Sequence, residues 1–100
     1  MTIHIHQDDL PSNLDFGDVV AIDTETMGLN PLRDRLCLVQ LSSGDGEAHL
    51  VKIYSPMIAC RNLAGLLQNI NVTKLFHFAR FDISSLSHNI TPVKLSLIHI

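Results

Sequence analysis

Asp23 and Glu25 stand two positions apart at the end of the apolar run Val-Val-Ala-Ile that precedes them. In a strand, side chains at i and i+2 project to the same side, so both carboxylates share one face of a sheet. Two anions set together beside apolar residues 19–22 repel each other and are costly to desolvate, so something positive must offset them. Hard divalent cations prefer such oxygen ligands, and Mg²⁺ typically takes one or two carboxylates plus substrate phosphate oxygens. Taken alone, the pair also reads as two solvated acids where a strand has ended, because short motifs recur by chance. The neighbouring residues are more telling. Thr24, Thr26, Met27, Gly28 and Leu29 complete Asp-Thr-Glu-Thr-Met-Gly-Leu. A backbone opened by Gly28 would let a nucleotide approach, and Leu29 would wedge against its base.

A third carboxylate, Asp82, ends the segment Lys-Leu-Phe-His-Phe-Ala-Arg-Phe-Asp and falls early in a helix directly after a strand. On its own Asp82 reads as a helix-start acid favoured by the dipole. Phe76, Phe78 and Phe81 read equally well as core residues. His4 and His6 share a strand face as a metal pair would, but with no third ligand evident they are expected to be exposed. His49, His88 and His99 show no partner in the sequence.

The elements that must position these residues are read from periodicity and breakers. Ile3 and Ile5 alternate with polar residues as in a short edge strand, and residues 8–13 are turn-like. Residues 18–23 form a strand whose continuous apolar run predicts burial on both faces. Residues 28–31 form a loop, with Asn30 and Pro31 as breakers. Residues 35–42 and 47–54, joined by Ser-Gly-Asp-Gly, form an antiparallel hairpin. A helix is predicted over 56–69, with Ser55 as N-cap and Pro56 at its first position. Next come a strand over 73–78 and a helix over 79–88, with Ile83 and Leu86 on one face, and residues 90–95 begin a further strand. The order, βββαβα after the lead-in and then the start of a strand, predicts an α/β fold, a mixed sheet of the ribonuclease H-like type.

Composition bounds the reading. One hundred residues with 46% apolar and 17% charged content make one folded domain at most. No apolar run is long enough to span a bilayer, and the start lacks the basic-then-apolar pattern of a signal peptide, which points to the cytoplasm. Cys37 and Cys60 are the only cysteines. They are too far apart for a zinc pair and read as buried thiols. The net charge of −3 argues against a protein that grips nucleic acid through a basic surface. It leaves open an enzyme whose metal ions supply the positive charge locally.

Together the two acidic segments resemble the first and second motifs of the DEDD superfamily of 3′–5′ exonucleases, nearest to the ribonuclease D branch. Asp23-Thr-Glu-Thr has the form of the first motif. His77-x-x-x-Phe81-Asp82 has the form of the second, and Arg35-Leu-Cys-Leu-Val-Gln40-Leu also looks like this branch. The resemblance runs from about residue 18 to residue 93. It implies hydrolysis of RNA from a free 3′ end with two Mg²⁺ or Mn²⁺ ions, releasing nucleoside 5′-monophosphates. Asp23 would bridge the metals, Glu25 would hold the one that activates water, and Asp82 would help hold the second. Met27, Gly28 and Leu29, with Thr24, would receive the terminal nucleotide, and His77 and Phe81 would contact it or support the ligands. A DNA exonuclease and a non-catalytic nucleic-acid-binding module are the competing readings. No protein partner is evident, and no membrane.

The family also carries a third motif, a Tyr or His followed four positions later by an Asp, and nothing after Asp82 is acidic. Residues 1–100 are therefore expected to be part of an exonuclease domain, and inactive or nearly so by themselves. The final Leu95-Ser-Leu-Ile-His-Ile100 departs from the family pattern. It reads either as translated adapter sequence or as an apolar edge strand.

Overall fold

The computed structural model describes residues 1–30, 32–54 and 60–95. A five-stranded mixed sheet carries two helices. The strands are β1 (Thr2–Gln7), β2 (Val19–Thr26), β3 (Leu36–Ser42), β4 (Glu47–Lys52) and β5 (Thr73–Phe76). The helices are α1 (Arg61–Gln68) and α2 (Ala79–Asn89). Sheet order is β1-β4-β3-β2-β5. β2, β3 and β4 pair antiparallel in sequence, whereas β1 on β4 and β5 on β2 are parallel. The predicted hairpin is present, its turn carried by Gly44 and Gly46 at positive φ.

Burial on β2 alternates. Val20 and Ile22 are buried, whereas Val19, Ala21, Asp23 and Glu25 are exposed. The expected burial of this strand on both faces is therefore corrected: among the described residues only one face is covered. That face packs Val20 and Ile22 with Leu36, Val39 and Leu41 of β3, Val51 of β4, Leu63 and Leu67 of α1 and Leu86 of α2 into one core. β2 also continues through Thr26, so the acids lie within a paired strand and not past its end. Asp23 is opposite Gln40 and Glu25 opposite Leu38, with a register shift between Glu25 and Thr26.

The described helix α1 begins at Arg61, with Cys60 as N-cap. The predicted cap Ser55 and first-turn Pro56 lie outside the described residues. α2 agrees with the predicted helix, but its buried face is Asp82, Ser85 and Leu86, with Ile83 only half-buried. Residues 91–95 form no strand. Instead the Lys94 amide donates to the Leu67 carbonyl (2.9 Å). The buried Lys74 ammonium ties the same region down, donating to the carbonyls of Asn69 (2.5 Å) and Lys94 (2.7 Å). The expectations for residues 96–100 lie outside the described residues. No helix among the described residues is long and apolar enough to cross a membrane.

Candidate metal-dependent active site

β2 sorts the acidic motif by strand alternation. Asp23 and Glu25 project from the open face, and Thr24 between them projects toward the helices. There the Thr24 hydroxyl donates to Asp82 Oδ1 at 2.5 Å. Asp82 is brought to this point because α2 begins directly after β5, the parallel neighbour of β2. Its side chain is 2% exposed, and its second oxygen, Oδ2, has no hydrogen-bond partner among the described residues. Desolvation pushes the Asp82 carboxyl above its ordinary range, the donated Thr24 hydroxyl opposes that, and the nearby Asp23 charge adds to the rise.

The structure thus sets Asp23 and Glu25 side by side and holds Asp82 behind the strand that carries them. Among the described residues no three His, Cys, Asp or Glu side chains form a group that could hold a metal ion. The donor chemistry nonetheless suits a hard cation. Two accessible carboxylates share one face, and a buried carboxylate close to Asp23 has an oxygen that nothing satisfies.

On the open face, Asp23 and His77 line one cavity of ≈ 320 Å³ with Gln40, Ser42 and Leu75. His77 is exposed and Phe81 half-buried. Met27 and Leu29 are 69% and 93% exposed, available for contact with a ligand. Gly28 has a reason of its own, internal to the loop. A Cβ there would collide with the Asp34 carboxylate, which accepts the Asn30 amide at 2.9 Å and is paired with Arg33. The loop is closed further by the Thr26 hydroxyl, which donates to the Gly28 carbonyl. Gln40 and Phe78 belong to this neighbourhood, and sequence reasoning misses both. For Gln40 the absent information is strand register; for Phe78, a core residue and an exposed ring look alike in a run of aromatics.

The remaining histidines correct another expectation. His4 and His6 are half-buried, and His49, expected to lack a partner, lies between them. Its ring stacks on His4 at 4.7 Å and on His6 at 5.2 Å, with His6 Nε2 3.0 Å from His49 Nδ1. Neither Cys37 nor Cys60 is in a disulfide. Cys60 is buried as expected, and Cys37 is half-buried.

Comparison with known proteins agrees with this picture. The sequence pattern of the 3′–5′ exonuclease family matches residues 4–99. Over 71 residues the chain is 37% identical to ribonuclease D of Bartonella henselae, covering 71% of this chain and 17% of that protein. Brucella melitensis NrnC is 49% identical, with a TM-score of 0.86 over 93% of this chain and 46% of NrnC. NrnC structures with bound Mg²⁺ and with pGG match equally well. Escherichia coli RNase D, 24% identical with a TM-score of 0.53 over 69% of this chain and 18% of its own, shares the fold. The chain spans about half the length of the NrnC structure and a smaller part of the ribonuclease D proteins. The mixed sheet and helices are those of the expected ribonuclease H-like exonuclease fold. With the family pattern running through nearly the whole sequence and both acidic segments inside it, the chain, similar over part of its length to ribonuclease D, belongs to the 3′–5′ exonuclease family.

Proposed function

We propose that this chain supplies the metal-binding part of an exonuclease domain that trims RNA from a free 3′ end and releases nucleoside 5′-monophosphates in the cytoplasm. The observation that carries the reading is the pair Asp23 and Glu25, adjacent on an open sheet face inside a sequence that matches the exonuclease family over residues 4–99. Mg²⁺ bound to NrnC, and the 37% identity to a ribonuclease D, support the choice of metal and of RNA. The pGG bound to NrnC supports a short oligonucleotide as substrate.

In this reading Asp23 and Glu25 hold two divalent cations, Mg²⁺ or Mn²⁺, and Asp82 contributes from behind β2. Bound cations supply Lewis-acid activation of the phosphodiester and of the attacking water. Thr24 fixes Asp82 through its 2.5 Å hydrogen bond, so the third carboxylate has a defined position before metal arrives. Met27, Gly28 and Leu29 receive the terminal nucleotide, while His77, sharing a cavity with Asp23, and Phe81 border the substrate.

The test has two arms. Titrating this chain with Mg²⁺ or Mn²⁺ should raise its melting temperature, and Asp23→Asn should weaken that response most. In a protein completed to the length of NrnC, matched RNA and DNA oligonucleotides should be shortened one nucleotide at a time from the 3′ end, RNA faster. Asp23→Asn or Glu25→Gln should lower that rate by about a hundredfold or more. A metal response untouched by Asp23→Asn would refute the site, and preference for DNA would reassign the substrate.

A further inference from the structure

Beside the acidic face lies a groove that the metal-binding carboxylates do not use. Leu32 and Asn30 of the loop after β2 form one wall, and Phe78, Arg80, Phe81 and Ser84 at the start of α2 form the other. Its volume, ≈ 510 Å³, lies within the ~300–1,000 Å³ of small-molecule sites. Among the described residues Phe78 leaves a large aromatic ring 67% exposed to this groove. The groove is joined to the acidic cavity through adjacent residues. The Phe78 ring meets the His77 ring edge-on, with centroids 4.5 Å apart at 81°, and His77 lines the cavity that contains Asp23.

An exposed aromatic ring in a groove that an arginine also lines is what stacks a nucleobase without regard to its identity, because every base has a π-face and every linkage a phosphate. Ser84 and Asn30 also line the groove, the Asn30 Oδ1 already accepting the Leu32 and Arg33 amides. We propose that Phe78 is the stacking platform for the base adjacent to the terminal nucleotide, with Arg80 meeting the backbone phosphate. This rests on the exonuclease reading and deepens it. The terminal nucleotide sits by Met27–Leu29, the phosphodiester faces Asp23 and Glu25, and the second base turns past His77 onto Phe78. Phe78 is then a positioning residue that selects for substrates with a second base.

The probe is a 5′-phosphorylated dinucleotide with 2-aminopurine at its 5′ base, whose fluorescence falls when the base stacks. It is titrated with this chain in Mg²⁺. Wild type should quench the signal. Phe78→Ala should weaken binding by about tenfold or more, as loss of one base stack does, and Phe78→Trp should restore it. Undisturbed circular dichroism is expected for both, since the ring is exposed. Equal quenching by Phe78→Ala, or no quenching by wild type, overturns the platform. The exonuclease reading is judged separately by the Asp23-dependent metal response, so the two can fail independently.

Discussion

Asp82 illustrates how one residue's setting can be more informative than its type. A carboxylate 2% exposed with one unpartnered oxygen is costly unless something else is meant to meet it. Among the described residues the side-chain donor holding it is Thr24. Thr24→Val preserves shape but removes that hydroxyl, and should destabilise the protein by about 1–3 kcal/mol, the cost of leaving a buried acceptor unmet. Thr24→Ser, which keeps the donor, should lose less. Urea denaturation measures both, and repeating Thr24→Val in an Asp82→Ala background should shrink the loss if the hydrogen bond is its cause. An unchanged loss would assign it to packing. Asp23 and Glu25 were legible in the sequence because strand alternation depends only on spacing. The part played by Thr24 was not, since the contact spans 58 positions and depends on α2 arriving behind β2.

At the scale of elements, the hairpin, β5 and α2 were legible because glycines in the turn and regular apolar spacing mark them locally. The open face of β2 was not: an unbroken apolar run looks the same whether one side or both are covered, and only the sheet's neighbours decide. The start of α1 was hidden for another reason. The acid that satisfies its first amides is Asp9, distant in sequence. Asp9 Oδ2 accepts the Asn62 amide at 3.0 Å and Oδ1 the Leu63 amide at 2.9 Å, while Cys60 supplies no side-chain cap. Asp8 before it holds φ at 66°, a left-handed conformation that Asp tolerates, and accepts the Tyr54 amide at 2.7 Å. What looked like a polar turn is therefore a clamp from the end of β1 to α1. Asp9→Ala should cost about 1–2 kcal/mol, as loss of an N-cap does, and should speed amide exchange first in α1. Exchange that accelerates evenly across all elements would contradict a local capping role.

At the scale of the whole molecule a pH dependence is expected from the side of the sheet where β1 and β4, separated from β2 by β3, bring His4, His6 and His49 together. This cluster was invisible in the sequence because it requires the parallel β1–β4 register, with His4 opposite His49. Burial lowers the His6 and His49 pKa values, and the neighbouring imidazoles lower them further; for His49 the Glu47 and Asp45 charges act in the opposite sense. The 3.0 Å contact between His6 Nε2 and His49 Nδ1 also needs one nitrogen to accept, so both rings cannot be protonated there. A histidine whose folded pKa is depressed costs nothing while it is neutral in both states. As pH falls below the unfolded value near 6.5, the unfolded chain takes up protons that the folded chain refuses, and stability declines until the folded pKa is passed. Asp82, raised by burial, works in the opposite direction: above the ordinary carboxyl pKa of 3.8 the folded state holds its proton longer. The melting temperature should accordingly be level above pH 7 and fall by several degrees between about pH 6.5 and 5.5. Replacing His6 and His49 together by Gln should flatten that decline while leaving the Asp23-dependent metal response intact. A decline that persists in the double variant would place its origin outside the histidine stack.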